Sequence, residues 1–145
     1  MNTIDVLALD LEGTLISNAV SQIPRPGLHA FLSACAEHFP RMVMFTAVRE
    51  EKFREIARLL VEEGVAPRWF LEIEYIQWSG LTKDLSFIPD ADPSRCRLVD
   101  DIASYVHPEQ QDQWIRIQTY DHPYPDDDAE LARVLGVLRG DHPLA

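Results

Sequence analysis

Lysine and arginine are scarce in this chain of 145 residues. Only 13 of them stand against 24 aspartates and glutamates, which gives a formal net charge of −11. Because nucleic-acid-binding proteins cluster basic side chains against the phosphate backbone, this balance argues against a broad nucleic-acid surface. No basic region precedes an apolar segment near Met1, and no apolar run approaches ~18 residues. We therefore expect neither a secretion signal nor a membrane interaction.

Cysteine is also scarce, with Cys35 and Cys96 as its two members. Two cysteines cannot form a disulfide framework, and these two do not have the spacing of metal ligands. Cys35 falls on the apolar face of a predicted helix, and Cys96 adjoins a predicted strand. Both are expected to be core thiols in a reducing compartment, which favours a cytoplasmic protein.

Short apolar runs alternate with helical patterns along the chain. The predicted strands lie in TIDVLALD, RMVMFT, WFLEIEYIQW, CRLVDD and WIRIQTY. Three helices are predicted, beginning with Pro26 in a first turn, at about Glu50, and after Asp126–Asp128, and TKDLSFI predicts a short fourth helix. There is no internal repeat or low-complexity linker. Alternation of this kind predicts one α/β domain over residues 1–145, with a parallel sheet covered on both faces.

Polar residues follow three of the predicted strands. Because ligands of open α/β sheets bind beyond the carboxyl ends of the strands, these side chains are expected to converge. A lysine in TKDLS, Lys83, joins the set. The strand-end residues are Asp10, Glu12, Thr14, Thr46, Asp100 and Asp101.

Taken together, these residue types fit phosphoryl transfer through an enzyme carboxylate. Asp10 would attack phosphorus and form an aspartyl phosphate. Charge repulsion between a carboxylate and a phosphate dianion is removed by a hard cation such as Mg²⁺, for which Asp10 and Asp100 are the natural ligands, with Asp101 in or just behind them.

The remaining polar residues have roles that complete this chemistry. Thr46 would donate a hydrogen bond to a phosphoryl oxygen, and Lys83 would balance the remaining negative charge. Glu12 would protonate the leaving group and then activate the water that cleaves the aspartyl phosphate.

Four segments carry a resemblance to the haloacid dehalogenase (HAD) superfamily of Mg²⁺-dependent phosphatases. They are Asp10-Leu11-Glu12-Gly13-Thr14, Phe45-Thr46-Ala47, Thr82-Lys83-Asp84-Leu85-Ser86 and Val99-Asp100-Asp101. The segments RPGLHAFL, MFTA and TKDLS look like those of the branch that contains RNA polymerase carboxy-terminal-domain phosphatases and NLI-interacting-factor-like phosphatases. The resemblance covers roughly Ile4 to Tyr105.

This resemblance implies a three-layer, Rossmann-like parallel sheet ordered 5-4-1-2-3. It also implies that Asp10 is the nucleophile, that Glu12 is the acid/base, and that Thr46 and Lys83 hold the phosphoryl group. The implied metal ligands are Asp10, the backbone carbonyl of Glu12, and Asp100.

The chain departs from the branch at Glu12, where aspartate is usual, and at Asp101, where the usual DNSP is replaced by DDIAS. Paired aspartates are common elsewhere in the superfamily, so Asp101 is compatible with activity. At Glu12 the extra methylene moves the carboxyl group by ~1 Å or more, a displacement that can cost about a hundredfold in rate. Enolase-phosphatases of the superfamily carry a similar D-x-E-G-T stretch, however, so glutamate is compatible with turnover.

Neither segment that could hold an inserted cap domain is long enough for one. Residues 15–25 and 66–81 are the two positions concerned. An uncapped, open site favours a phosphate on a large partner, such as a phosphoprotein, or a substrate covered by a neighbouring subunit. The expected state is a monomer or weak oligomer.

Three functions stay open at this stage. The first is a Mg²⁺-dependent phosphomonoester phosphatase, the second a phosphate-recognising binding module with little turnover, and the third a phosphatase or phosphotransferase for a small metabolite. Weaker signals stay open too: Arg49 would touch phosphate or begin a helix. Asp126–Asp128 are interpreted as charges at a helix start rather than as a metal site. Trp69, Tyr75 and Trp78 are interpreted as core aromatics rather than as a platform beside the site.

Overall fold

A five-stranded parallel sheet forms the centre of the computed structural model, which describes residues 3–140. Its strands run in the order β3-β2-β1-β4-β5, which confirms the predicted order. The central strand β1 pairs with β2 on one side and β4 on the other. The strands are β1 (Val6–Leu9), β2 (Arg41–Met44), β3 (Glu74–Tyr75), β4 (Cys96–Asp100) and β5 (Trp114–Arg116).

Three α-helices accompany the sheet: α1 (Leu28–His38), α2 (Glu50–Glu62) and α3 (Glu130–Leu138). Each has an apolar stripe that repeats every three or four residues and is buried. Helix α2 ends at the predicted place, where Gly64 follows the last turn with a φ of 76°. The prediction for α1 is wrong at its start: Gly27, with a φ of 84°, precedes the helix, so Pro26 lies outside it.

Several predicted elements are shorter in the structure. The region of the third strand contributes only two strand residues, because Arg68–Glu72 form a 3₁₀ helix instead. The fifth strand ends at Arg116, and TKDLSFI contains a single 3₁₀ turn, Leu85–Phe87. Short apolar runs satisfy strand and 3₁₀ geometry alike, so their tertiary contacts decide the outcome.

Two apolar cores cover the two faces of the sheet. Alternation along β1 turns Leu7 and Leu9 towards all three α-helices, and Val6 and Ala8 towards the other face. That second face is covered by 3₁₀ turns and loops, through Leu85 and Val106 among others, rather than by α-helices. The three layers of the α/β fold are therefore present, and the third is built from irregular backbone. Both cysteines are free and buried, Cys35 in the helical core and Cys96 in the other.

The connections beyond the strands' carboxyl ends are short. Between β1 and α1 the described chain forms turns and isolated bridges, and between α2 and Lys83 it forms one 3₁₀ helix and β3. Within residues 3–140 neither segment forms a further domain. None of the helices in this part of the chain has the length and apolar character that crossing a membrane requires.

Candidate active site

The predicted residues Asp10, Lys83 and Asp100 meet at the carboxyl ends of β1 and β4. The Lys83 ammonium lies 2.7 Å from Asp10 Oδ1 and 2.6 Å from Asp100 Oδ2, and donates a hydrogen bond to each. The Lys83 side chain is fully buried, and the ring of Tyr105 lies 4.7 Å from its nitrogen. A single ammonium therefore stands between two buried carboxyl groups, which gives the group a net negative charge when both are ionised.

This arrangement changes the acidity of all three groups. Burial raises the pKa of Asp10 well above its usual value, against the pull of Lys83 and with the help of Asp100. Burial likewise raises the pKa of Asp100. Burial alone would lower the pKa of Lys83, but Asp10 and Asp100 outweigh it and raise that pKa. Lys83 is thus held as a cation. A second cation would stabilise the ionised forms of Asp10 and Asp100.

A second pair of contacts fixes the loop that follows β1 against Asp101. The Thr14 hydroxyl lies 2.8 Å from Asp10 Oδ2 and 3.3 Å from Asp101 Oδ1. Asp101 Oδ2 accepts a hydrogen bond from the Thr119 hydroxyl at 2.8 Å. Gly13 has a φ of 75°, and a Cβ added there would lie 2.3 Å from Asp101 Oδ2. Glycine is therefore required both by the left-handed turn and by the approach of this carboxylate.

Thr46 is buried beyond the end of β2, with its hydroxyl oriented by the backbone. The Thr46 hydroxyl oxygen accepts a hydrogen bond from the Val48 amide at 3.1 Å. No residue among 3–140 accepts a hydrogen bond from this hydroxyl, so its hydrogen is free to donate. The Trp78 indole donates to the Thr46 carbonyl at 2.8 Å, and the Trp114 indole donates in the same way to the Asp100 carbonyl at 2.9 Å. Two tryptophans thus fix the backbone at two strand ends.

Arg25 supports the loop of Gly13 and Thr14, a role that the sequence analysis missed. Its guanidinium donates to the carbonyls of Gly13 and Thr14 at 3.1 and 3.2 Å. It also forms a two-pronged pair with Asp128 at 2.9 and 3.0 Å. Arg25 is only 1% exposed, so this is a buried ion pair. The arginine in RPG next to a helix start was the available signal, but its partner lies 103 residues away.

Asp128 consequently has a second role besides the predicted one at the start of a helix. Its Oδ1 does accept a hydrogen bond from the Glu130 amide at 3.2 Å, at the start of α3. The interpretation as helix-start charge was therefore incomplete, because the same carboxylate neutralises buried Arg25. Asp126 and Asp127 are exposed, and neither belongs to the acidic cluster found in the described residues.

Glu12 lies apart from the buried charges. Its Oε2 accepts a hydrogen bond from the Ala19 amide at 2.7 Å, in the loop that follows β1. The side chain is partly buried, and its carboxylate is not among the three that cluster. The longer side chain of glutamate allows this contact with the loop. The backbone carbonyl of Glu12 stays a prediction as a metal ligand.

The carboxylates of Asp10, Asp100 and Asp101 form a set that fits a hard divalent cation. One oxygen from each lies within 4.8 Å of the others. Mg²⁺ and similar ions bind oxygen ligands, and carboxylates are the usual protein ligands among them. The three aspartates that the sequence predicts as ligands therefore lie together, and their role as metal ligands stays a prediction.

A family comparison agrees with this geometry. Residues 5–142 match the model of the NLI interacting factor-like phosphatase family, nearly the whole chain. The chain belongs to that family. No curated protein matches it. As a member of the NLI interacting factor-like phosphatases, it is a phosphatase of the HAD-like branch, and the resemblance seen in its four motifs is confirmed.

The three aromatic residues separate into two groups in the folded protein. Trp69 packs against the core and lines a small hollow near Phe39 and Arg41, remote in the sheet from the strand ends that carry the site. Tyr75 and Trp78 are also partly buried against the two cores, but they line a groove that begins at Thr46. Arg49 immediately precedes α2, which agrees with the predicted alternative that it begins a helix. Its exposed side chain lines the same groove.

Proposed function

We propose that this phosphatase hydrolyses phosphomonoesters through an aspartyl phosphate on Asp10. One observation carries the proposal: buried Lys83 joins Asp10 to Asp100, beside the buried hydroxyls of Thr14 and Thr46. A buried carboxylate at a strand end, held by an ammonium and a hydroxyl, has the fixed orientation that a nucleophile needs. Asp10, Thr46 and Lys83 are therefore the proposed nucleophile and phosphoryl-binding groups.

The proposed reaction has two steps. A carboxylate oxygen of Asp10 bonds to phosphorus, the phosphorus–oxygen ester bond breaks, and Glu12 gives a proton to the leaving oxygen. Water then loses a proton to Glu12 and bonds to phosphorus, which breaks the bond to Asp10 and releases inorganic phosphate. Lys83 and Thr46 offset the negative charge on the phosphoryl oxygens in both steps.

Asp10, Asp100 and Asp101 would hold Mg²⁺, with the carbonyl of Glu12 as a further ligand. When bound, the ion neutralises the carboxylates and the phosphate that approaches them. Lys83 and Thr119 keep Asp100 and Asp101 in place through their hydrogen bonds.

The proposed substrate is a phosphate on a large molecule, such as a phosphoprotein. Asp10 lies beyond the carboxyl end of the central strand. Within residues 3–140 no further domain covers this end of the sheet, so a bulky partner can approach it. We also place the enzyme in the cytoplasm, since its two free, buried thiols are compatible with a reducing compartment.

The nucleophile is tested with Asp10→Asn, which we expect to abolish hydrolysis of an aryl phosphate while the fold is retained. An amide cannot form the acyl phosphate, so acid-quenched wild-type protein should carry hydroxylamine-labile phosphate and the variant none. Asp112→Asn, at an exposed position, is the matched control. A variant with the wild-type rate would show that Asp10 is not the nucleophile, and omission of Mg²⁺ in the same assay tests the metal.

A binding module with slow turnover is the second candidate, and the contact between Glu12 and the Ala19 amide favours it. A carboxylate engaged with a loop must leave it before it can transfer a proton. Glu12→Asp separates the two functions. In an active phosphatase the shorter side chain should lower kcat by about a hundredfold. A large gain in kcat would instead identify the natural protein as a binding module.

A further inference from the structure

A groove of about 990 Å³ begins at Thr46 and runs between the start of α2 and the segment after β3. Its walls include Arg49, Arg54, Tyr75, Trp78 and Gly80. Because Thr46 belongs to both, the groove is continuous with the place proposed for the phosphoryl group. A chain that carries the phosphate can therefore extend from the site into this groove.

Most polar side chains of the groove already have partners within the protein. Glu50 accepts hydrogen bonds from Arg54 at 3.1 Å and from Gln77 at 3.0 Å. The Tyr75 hydroxyl donates to the Val48 carbonyl, and the Trp78 indole donates to that of Thr46. These groups form a fixed wall, and their hydrogen bonds would have to break before they could bind a ligand.

Arg49 and Glu51 differ from the rest of the wall. Both side chains are exposed, and within residues 3–140 neither makes a hydrogen bond or an ion pair. Arg49 is three residues from Thr46, and Glu51 is five. The groove therefore has one uncompensated positive charge nearer the phosphoryl position and one uncompensated negative charge farther along, on a chain whose net charge is −11.

On the opposite wall, the backbone N–H and C=O groups of one segment have no backbone partner among residues 3–140. The Ile76 amide donates to Met44 at 2.9 Å and the Lys83 amide donates to Tyr105 at 2.7 Å. Between them, residues 77–82 make no backbone hydrogen bond to any described residue. They follow β3, which ends at Tyr75 and lies at the edge of the sheet, and the chain turns at Gly80, where φ is 92°. Unpaired N–H and C=O groups beyond an edge strand are what an extended peptide uses when it binds beside a sheet.

We propose that this groove binds the polypeptide on either side of the phosphorylated residue, in an extended form beside residues 77–80. Arg49 pairs there with an acidic side chain close to the phosphate. The proposal rests on the proposed function, and it narrows the substrate class to phosphoproteins with an acidic residue near the modified site. Arginine suits this task, because its planar guanidinium binds a carboxylate through two parallel hydrogen bonds.

The test is peptide binding to the Asp10→Asn protein, measured by fluorescence anisotropy so that no turnover is needed. Labelled phosphoserine peptides carry either glutamate or lysine beside the phosphoserine. We expect the glutamate peptide to bind about tenfold more tightly, and Arg49→Glu to reverse that preference. Arg58→Glu is the matched control: it is an exposed position of α2, the helix that Arg49 precedes, it does not line the groove, and it changes the net charge equally, so it should leave the preference within about twofold.

The backbone contact is tested with the glutamate peptide N-methylated at its amides next to the phosphoserine. Methylation removes donors without changing charge, so we expect binding several-fold weaker. Equal affinity of the methylated peptide would exclude pairing with residues 77–80. An unchanged preference in Arg49→Glu, or an equal change in Arg58→Glu, would exclude Arg49 as the recognition residue.

These outcomes are independent of the proposed function. If the wild-type protein hydrolyses an aryl phosphate but shows no preference between the peptides, the phosphatase proposal stands and the groove proposal is wrong. If it hydrolyses nothing but binds the glutamate peptide in the expected order, the groove proposal stands and the catalytic one is wrong.

Discussion

Two buried cations contact the end of β1 and the loop that follows it, and they are bonded in different ways. Arg25 faces Asp128 and two backbone carbonyls, so one positive charge meets one negative charge with every prong of its guanidinium engaged. Lys83 faces Asp10 and Asp100, so one positive charge meets two negative charges. The first pair is balanced, whereas the second has an excess of negative charge.

This difference in charge balance agrees with a structural role for Arg25 and with the role in the reaction that is proposed for Lys83. A balanced and fully hydrogen-bonded pair gains nothing from a ligand, so Arg25 and Asp128 serve to hold the loop of Gly13 and Thr14 in place. An unbalanced cluster gains from a further cation, which agrees with the metal ion proposed beside Asp10 and Asp100. Burial alone therefore does not distinguish the lysine proposed to bind phosphate from the arginine that supports the loop, whereas the charge balance around each of them does.

The largest expected effect is on the balanced pair. Arg25→Met leaves Asp128 without its partner and the loop carbonyls without donors, so the free energy of unfolding should fall by about 3–5 kcal/mol. Chemical denaturation measures it. The double variant Arg25→Met/Asp128→Leu removes both charges and should lose clearly less than the sum of its single variants. Strict additivity would show that the two side chains do not act as a pair.

Lys83→Met should act mainly on turnover. Loss of one preorganised donor to the phosphoryl group costs about 10²–10³-fold in kcat. The measurement is aryl phosphate hydrolysis at saturating Mg²⁺, with Lys52→Met, on the surface of α2, as the control. No second substitution at Asp100 should restore the rate, in contrast to the recovery of stability expected at Arg25. A variant with the wild-type kcat would place Lys83 outside the reaction.

The smallest effect is the response of stability to Mg²⁺ and pH. At a concentration of about 100 times its Kd, the ion should stabilise the fold by about 2.7 kcal/mol, which is about 9 °C in Tm for a domain of this size. The metal-free pKa values of Asp10 and Asp100 are raised, so the folded chain keeps protons that the unfolded chain has released. Stability without the ion should therefore fall as pH rises from about 4 through those pKa values.

Mg²⁺ reverses part of this pH effect. Protons compete with the ion for the same oxygens, so its stabilisation should be larger at about pH 8 than at about pH 5. Thermal melts with and without the ion measure the difference. Asp100→Asn should remove most of it, while Asp112→Asn should not. Parallel pH curves with and without Mg²⁺ would contradict binding at this cluster.

Much of the site was predictable because its residues follow apolar strands whose type the sequence fixes locally. Asp10, Thr46 and Asp100 each come at or directly beyond a short β-branched or aliphatic run, and parallel pairing alone brings such strand ends together. Lys83 was predicted from its motif rather than from a strand, and its position between two carboxylates could not be read from spacing. The lengths of β3 and β5 were overestimated because short apolar runs fit 3₁₀ turns as well.

By itself, the sequence determined the α/β class, the strand order expected for its family, the acidic net charge and the motifs that mark it as a member of that family. These follow from periodicity, composition and motifs that extend over a few residues. Only the tertiary structure decided which charges meet: Arg25 with Asp128, Glu12 with the Ala19 amide, and Arg49 with no partner among residues 3–140. Each of these outcomes depends on which side chains the folded chain brings within about 3–4 Å, and no local pattern encodes such a distance.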